Sequence, residues 1–256
     1  MLSIYSWFGY KMPGEELYKA IKAAGFHATT LWWGNKNHED YELHPKYARA
    51  AGLTIEHIHA PYERVNDIWV KDKGQDILDI HMQCIEACAV HQIPTMVMHL
   101  SGGDNPPPFN QFGLDRIHGL LDFAEKMGVN IAMENLKKPA YLDYVLDNID
   151  ATHLGFCYDS GHHNLFAPGE DLLKKHGSRI MAMHLHDNFG KIDEHLLPFD
   201  GQINWSATTK GLAQMKYRTI SLEVGNKGYE RLPAQKFLKF AFLCAKKIED
   251  WRDENA

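Results

Sequence analysis

The sequence predicts a single (β/α)8 barrel. Short apolar segments alternate with helical segments eight times along the chain, which is the pattern of βα units that build a parallel sheet. A length of 256 residues is typical of one such barrel. No Pro-, Gly- or Ser-rich linker and no block of charge divides the chain. We therefore expect residues 1–256 to form one domain.

Eight segments have the apolar, β-branched composition of buried strands. They are Leu2–Trp7, His27–Trp33, Thr54–Ala60, Thr95–Leu100, Val129–Asn135, Leu154–Asp159, Ile180–Asp187 and Thr219–Val224. A helical segment follows each strand, and several of these segments begin at a proline, which is favoured in the first turn of a helix. They are Pro13–Gly25, Pro45–Ala51, Gln75–His91, Phe112–Met127, Tyr141–Asn148, Glu170–His176, Trp205–Met215 and Pro233–Trp251.

Composition and charge exclude several classes of protein. The net charge of −6 disfavours general attraction to nucleic acid or to an anionic membrane. No apolar stretch approaches the roughly 18 residues that span a bilayer, and the amino terminus lacks the features of a signal peptide. Four cysteines without a close CxxC pair fit a reducing cytoplasm. Oligomeric state stays open, and a homo-oligomer is compatible with the sequence.

Four predicted strands end in residues that can bind a metal: Glu134, Asp159, His184 and Glu223. An unpaired buried charge is costly, so four such endings indicate a shared partner. The active site of a (β/α)8 barrel lies at the carboxyl ends of its strands. One divalent cation held by these four side chains at the mouth of the barrel is the simplest interpretation.

Glu134 and Glu223 end strands five and eight, so they can face each other across a bound substrate. Two carboxylates beside a metal-bound hydroxy-ketone are what a proton-transfer isomerase or epimerase requires. One removes the proton next to the carbonyl, and the other returns a proton to a neighbouring carbon or to the opposite face. The cation would polarise the carbonyl as a Lewis acid.

Further histidines extend the predicted site. His162 follows Asp159 across Ser-Gly and is expected to face the site, whereas His163 is expected at the start of a helix. Strand alternation places His184 and His186 on one face. The loop after strand seven adds another carboxylate and imidazole, in Asp193 and His195.

Two more histidines lie at strand ends, His59 after strand three and His99 after strand four. A single such histidine is more often a hydrogen-bonded core residue than a ligand, but the repetition on adjacent strands makes both candidates for metal binding. Trp32 and Trp33 at the end of strand two are candidates for an apolar wall. The predicted substrate contacts are His162, His186, His195, Asn135 and Trp33.

These segments resemble the xylose isomerase-like superfamily, which includes sugar isomerases, sugar epimerases and endonuclease IV. The resemblance covers nearly the whole chain and rests on AMEN at 132–135, CYDSGHHN at 157–164, HLHDN at 184–188 and SLEV at 221–224. The superfamily's pattern of a His followed three residues on by an acid falls on His184 and Asp187, which favours His184 over His186 as the ligand. DEHLLPFDGQINW at 193–205 is similar to the D-x-H-x-x-P-G-x-G-x-I-x-W loop, with Phe199 in place of the first Gly.

The endonuclease IV branch implies three zinc ions and nine ligands. Compatible residues are His59, His99, Glu134, Asp159, His162, His184, Asp193, His195 and Glu223. Against this branch, the first strand lacks the Gly-Ser-His opening, and the mouth loops show no Arg/Lys cluster able to hold a DNA backbone.

The sequence therefore predicts a metal-dependent isomerase or epimerase acting on a keto sugar or polyol, with manganese, zinc or cobalt as the cofactor. Glu134 and Glu223 are the predicted catalytic residues. Alternatives are a trinuclear-zinc phosphoesterase, a dehydratase or lyase on a related sugar, and a metal-stabilised binding protein without turnover. The chain has no GxGxxG dinucleotide motif, no GxxxxGK[ST] phosphate loop and no GxSxG nucleophile elbow.

Overall fold

The computed structural model describes residues 1–34 and 40–256, and it contains one eight-stranded parallel sheet in the order β7-β6-β5-β4-β3-β2-β1-β8. A parallel bridge between Leu185 and Leu222 joins the two end strands and nearly closes the barrel. The predicted (β/α)8 fold is confirmed. The strands are β1 Leu2–Tyr5, β2 Ala28–Trp32, β3 Thr54–His59, β4 Thr95–Met98, β5 Asn130–Glu134, β6 Leu154–Asp159, β7 Ile180–His184 and β8 Ile220–Leu222.

Nine α-helices lie in the described part of the chain, along with three short 3₁₀ helices. The α-helices are α1 Gly14–Ala24, α2 His44–Ala50, α3 Gln75–Val90, α4 Gln111–Met127, α5 Ala140–Asn148, α6 Ser160–Phe166, α7 Leu172–His176, α8 Trp205–Ala213 and α9 Ala234–Glu254. The 3₁₀ helices are Tyr41–Leu43, Val65–Trp69 and Gly177–Arg179. Among the residues described, no helix combines the length and apolar character needed to cross a bilayer.

The strands are buried on both faces, because side chains fill the barrel and helices cover its outside. Every residue of β1, β4, β6 and β8 is buried. Each of the eight strands appears where the sequence predicts one, but most are shorter at the carboxyl end. β7 ends at His184 rather than at Asp187, since only single bridges continue beyond it. The candidate ligands thus lie where the regular hydrogen bonding between strands ends.

The segment after β6 differs from the prediction. The sequence suggests a tight Gly turn between Asp159 and His162, whereas the structure forms α6 directly at Ser160. Asp159 caps this helix, because its Oδ1 accepts a hydrogen bond of 2.7 Å from the backbone N–H of His162. His162 therefore enters the site from the first turn of a helix.

Two β-bulges interrupt the barrel. In the first, Glu56 and His57 of β3 lie opposite Thr30 of β2. The pairs on either side are Thr29–Ile55 and Leu31–Ile58. A second register shift lies between β6 and β7, between Phe156 and Cys157 of β6. Bulges are common next to active sites, where they re-aim a side chain.

Asp187 organises the long loop after β7. Its Oδ1 accepts hydrogen bonds from the backbone N–H of Asn188 and of Ile203, at 2.9 and 3.0 Å. Its Oδ2 accepts hydrogen bonds from the backbone N–H of Phe199 at 3.0 Å and the indole N–H of Trp205 at 2.7 Å. The carboxylate is fully buried, and it ties both ends of the loop that carries Asp193 and His195 to the end of the barrel.

Phe199 shows how this loop keeps its shape without the glycine of the superfamily pattern. Its φ of 80° lies in the left-handed region, which costs a residue with a Cβ about 1 to 2 kcal/mol. The phenyl ring packs against Trp205 and Trp251, and the ammonium of Lys247 lies 4.0 Å from the ring centroid. These contacts with α8 and α9 offset the backbone strain.

Replacing Asp187 with Asn tests the role of this carboxylate. The amide nitrogen would face two N–H donors, and two hydrogen bonds to a charged acceptor would be lost. We expect the free energy of unfolding to fall by about 3 kcal/mol, which is about 6 to 12 °C in Tm.

The control is Asp200→Asn in the same loop, where the exposed carboxylate accepts a hydrogen bond from the Tyr229 hydroxyl at 2.8 Å. This variant should change the free energy of unfolding by no more than about 0.5 kcal/mol. Equal Tm values for the two variants would rule out Asp187 as the anchor of the loop.

Candidate metal centre

The carboxyl ends of the strands surround one cavity of about 360 Å³. This volume is within the range of sites for small molecules. Acidic, imidazole and aromatic side chains share the wall. The lining residues are Tyr5, Trp7, Trp32, His59, Tyr62, His99, Glu134, His162, Asp193, His195, Glu223, Val224 and Gly225.

Glu134, the last residue of β5, lies among histidines. His99 Nε2 and His59 Nε2 lie 3.1 and 3.3 Å from its Oε2, and His162 Nδ1 lies 3.0 Å from its Oε1. The side chain of Glu134 is only 1% exposed. Burial on its own would raise the pKa of this carboxyl, but the imidazoles of His184 and His99 outweigh it and hold the pKa well below its usual range. Glu134 is therefore an anion at neutral pH.

Asp159, the last residue of β6, is fully buried and is held from two directions. His186 Nε2 lies 3.1 Å from its Oδ1. The side chain of Asn135 accepts a hydrogen bond from the Asp159 backbone N–H at 2.7 Å and donates one to its carbonyl at 2.9 Å. Both polar atoms of Asn135 thus position Asp159, a role the sequence does not reveal.

His184, the last residue of β7, presents its two ring nitrogens to different surroundings. Nδ1 lies 3.2 Å from Glu223 Oε2 and 3.5 Å from Glu134 Oε2. Nδ1 is nevertheless buried and makes no hydrogen bond of acceptable geometry to any described residue. On the other side of the ring, Nε2 lies 3.0 Å from Nε2 of His57. Nδ1 and the carboxylates of Glu223 and Glu134 therefore face the same point.

Asp193 contacts one histidine from α6 and one from its own loop. Its Oδ2 lies 3.2 Å from His162 Nε2 and 3.1 Å from His195 Nε2. The ring of His186 stacks on that of His195, with centroids 4.1 Å apart. Burial would lower the pKa of His195, but its hydrogen bond to Asp193 and the charge of Glu223 raise it to about 10. Burial also opposes charge on His162, yet Asp159, Asp193 and Glu134 raise its pKa well above the usual value.

The residues present fit a divalent cation. One ligand atom from each of Glu134, Asp159, His184 and Glu223 can be chosen so that all four lie within 4.8 Å of one another. Three carboxylates and one imidazole suit zinc, manganese or cobalt better than calcium, which prefers oxygen alone. The buried Nδ1 of His184, which lacks a hydrogen bond but faces two carboxylates, is the atom that such an ion would satisfy.

Seven of the predicted site residues line the cavity: His59, His99, Glu134, His162, Asp193, His195 and Glu223. Asp159 and His184 are buried beside them, with ligand atoms within 4.8 Å of those of Glu134 and Glu223. Three predicted substrate contacts do not line the cavity. Asn135 and His186 are buried against Asp159, and the ring of Trp33 packs against Tyr41 and His91, with centroids 5.1 and 5.9 Å away. The tryptophan of β2 that lines the cavity is Trp32, which stacks on His59. Alternation along a strand puts neighbouring side chains on opposite faces, so only one of the two can face the cavity.

The sequence analysis missed the wall residues Trp7 and Tyr62 and, behind the wall, the fully buried His57. Tyr62 stacks on His99 with centroids 4.5 Å apart, and His57 contacts His184. A signal for His57 exists in the sequence, because it precedes His59 by two residues and shares its strand face. His163 lies in the first turn of α6, near the helix start where it is expected, and its ring nitrogens contact the hydroxyl of Tyr158 and the carbonyl of Glu170.

The stability of the metal-free protein should fall as the pH rises above about 6.5, the pKa of an unperturbed His. His162 and His195 have raised pKa values in the folded state, so the stability they contribute is complete below pH 6.5. It is lost as the pH rises through the folded values, to about 10 for His195. Tm measured with a chelator between pH 6.5 and 10 should therefore decrease.

Asp193→Asn is the control for this pH dependence, because it removes the carboxylate that both rings share. The decrease in Tm with pH should be smaller in this variant than in the unchanged protein. Parallel curves for the two proteins would contradict the assignment.

Comparison with known proteins places these residues in a family. Residues 18–241 match the family described as "Xylose isomerase-like TIM barrel". "Uncharacterized protein y4fM" of Sinorhizobium fredii is 34% identical over 170 residues, which are 59% of this chain and 52% of that protein. "Uncharacterized protein MJ1311" of Methanocaldococcus jannaschii is 25% identical over 190 residues, 66% of this chain and 64% of that protein. The chain thus spans between about half and two-thirds of the length of these relatives.

Solved structures share the fold over nearly the full chain. A D-tagatose 3-epimerase-like protein has a TM-score of 0.73 at 19% identity, with 99% of this chain and 97% of that chain covered. L-ribulose 3-epimerase has a TM-score of 0.77 at 16% identity, covering 99% and 95%. The IOLI protein with a bound zinc atom has a TM-score of 0.78 at 16% identity, covering 97% and 98%.

At these identities the structures establish the fold, whereas the match over residues 18–241 extends over most of the chain. The resemblance seen in the strand-end motifs is confirmed. The chain belongs to the xylose isomerase-like TIM-barrel family.

Proposed function

We propose that the chain is a divalent-metal-dependent isomerase or epimerase acting on a keto sugar or a similar polyol. The observation that carries the proposal is that Glu134 and Glu223 line one cavity and that their ligand atoms lie within 4.8 Å of those of the buried Asp159 and His184. The neighbouring folds of a D-tagatose 3-epimerase-like protein and an L-ribulose 3-epimerase support the same reaction class.

Glu134, Asp159, His184 and Glu223 would hold the cation, because their ligand atoms converge within 4.8 Å. The ion would supply Lewis-acid polarisation of a carbonyl next to a hydroxyl-bearing carbon. The IOLI neighbour described with a bound zinc atom supports a divalent metal in this fold.

The two glutamates differ in their surroundings, which suits two different proton-transfer roles. The side chain of Glu134 is 1% exposed and is kept ionised by the imidazoles around it, so it can accept a proton at neutral pH. Glu223 is 14% exposed and lines the cavity, so solvent reaches its carboxylate more easily. One glutamate would remove the proton beside the carbonyl, and the other would return one to a neighbouring carbon or to the opposite face.

The remaining lining residues would bind and orient the substrate. Trp32, Trp7 and Tyr62 offer apolar surface to the C–H faces of a sugar. His162 and His195 also line the cavity, and the carboxylate of Asp193 between them can accept hydrogen bonds from hydroxyl groups. His186 lies behind this layer, since it is fully buried against Asp159 and stacks on His195.

Exchange of substrate hydrogen with solvent tests the proton-transfer step. In D₂O, the metal-loaded protein should incorporate deuterium at the carbon next to the carbonyl of a ketohexose or ketopentose. Glu134→Gln and Glu223→Gln should each lower the exchange rate by about 10²- to 10⁴-fold, which is the usual contribution of a general acid or base. Mass spectrometry of the recovered sugar measures the exchange.

The matched control for this experiment is Glu194→Gln. Glu194 belongs to the same mouth loop, but its carboxylate binds Lys227 at 2.6 Å and the backbone N–H of Phe189 at 3.0 Å. Exchange should be unchanged in this variant. A sugar that binds without exchange would indicate a binding protein, and a product lacking one water would indicate a dehydratase.

One observation favours a second candidate, a trinuclear-zinc phosphoesterase of the endonuclease IV type. The nine residues that this branch implies all lie at the same mouth of the barrel. Asp193 stands between His162 and His195 at 3.2 and 3.1 Å, which is compatible with a further ion there. The net charge of −6 weighs against a polyanionic substrate.

The number of bound ions separates the two candidates. We expect elemental analysis of protein purified without chelator to give about one divalent ion per chain, since one cluster among the described residues combines four ligands. Asp193→Asn should leave this number unchanged. Three zinc ions per chain, with cleavage of DNA at abasic sites, would overturn the isomerase proposal in favour of the phosphoesterase.

A further inference from the structure

We infer that His57 is a positioning residue for His184: it accepts the Nε2–H of His184 and thereby directs Nδ1 of that ring to the metal. The inference rests on the proposed metal site and adds to it a residue outside the ligand set. The two Nε2 atoms lie 3.0 Å apart. Exposure of His57 is 0% and that of His184 is 2%, so water does not compete for the contact.

The arrangement of hydrogen atoms follows from the positions of the ring nitrogens. Nδ1 of His184 faces the carboxylates of Glu223 and Glu134, at 3.2 and 3.5 Å. A ring nitrogen that binds a metal carries no proton, so a neutral His184 must carry its proton on Nε2. Nε2 of His57 is the hydrogen-bond partner of that atom, and it must then act as the acceptor.

The backbone is built to make this contact. The β-bulge in β3 places two residues, Glu56 and His57, opposite a single residue of β2. The second bulge lies at the start of the pairing between β6 and β7, and β7 is the strand that ends in His184. Bulges re-aim side chains next to functional sites, and here one bulged strand carries His57 and the other carries His184.

The chemistry of the acceptor distinguishes this site. A metal-binding His usually donates its other N–H to a carboxylate, a carbonyl or water, and this fixes the tautomer and the ring orientation. His57 fixes both in the same way, but a neutral imidazole adds no negative charge behind the ligand. The bound cation would consequently keep more of its Lewis acidity than it would with an acidic partner.

Cys157 provides the control, because its thiol also lies beside the ring of His184 and is fully buried. Cys157→Ala removes a neighbour of the same ring without removing the proposed acceptor. His57→Leu removes the acceptor and keeps much of the volume. His57→Gln keeps a neutral acceptor oxygen that can reach the position of the ring Nε2.

The test is the affinity for Co²⁺, measured by chelator competition with the full chain and without substrate. His57→Leu should weaken binding about 10- to 100-fold and shift the visible absorption bands of bound Co²⁺, as loss of such a partner does. His57→Gln should restore most of the affinity, and Cys157→Ala should leave it unchanged. Unchanged affinity in a folded His57→Leu variant, or an equal loss in Cys157→Ala, would overturn the inference.

A measurement on the unchanged protein covers the case in which the His57 variants do not fold. ¹⁵N NMR of the zinc-loaded, histidine-labelled protein should show His184 with zinc at Nδ1 and a proton at Nε2. Zinc at Nε2 would overturn the role of His57 and leave the metal site standing. A protein that binds neither Zn²⁺ nor Co²⁺ would overturn both, and neither readout depends on turnover.

Discussion

The carboxylate of Glu134 is the interaction on which the mouth of the barrel depends. It lies almost fully buried within about 3.5 Å of ring nitrogens from His59, His99, His162 and His184. A buried anion is costly unless it is paired, so these imidazoles are needed to keep it charged. The pairing of Glu134 with these imidazoles therefore brings the ends of β3, β4, β5 and β7 and the start of α6 together.

Two layers of contacts hold this cluster in place. Asn135 grips the backbone of Asp159, and Asp187 fastens the loop that delivers Asp193 and His195. Asn135 and Asp187 form hydrogen bonds mainly with backbone groups, and these bonds hold Asp159, Asp193 and His195 in fixed positions around the cavity. Asp187, the acid three residues after His184, thus serves the structure of the loop.

Much of the fold and of the site can be predicted from the sequence, because the sequence itself marks where each strand ends. A polar residue that ends an apolar run, as Glu134, Asp159 and His184 do, marks the carboxyl end of a strand, and in a parallel barrel all such ends meet. What could not be predicted depends on register. The bulge that contains His57 leaves no sequence signature, and the choice between Trp32 and Trp33 depends on where β2 pairs with β3.

Anomalous diffraction from crystals loaded with a single type of divalent ion tests the central claim most directly. We predict one strong peak at bonding distance from Glu134, Asp159, Glu223 and Nδ1 of His184. This prediction would be contradicted by data collected at the metal absorption edge that show no peak among these side chains, or that show the ion bound only elsewhere.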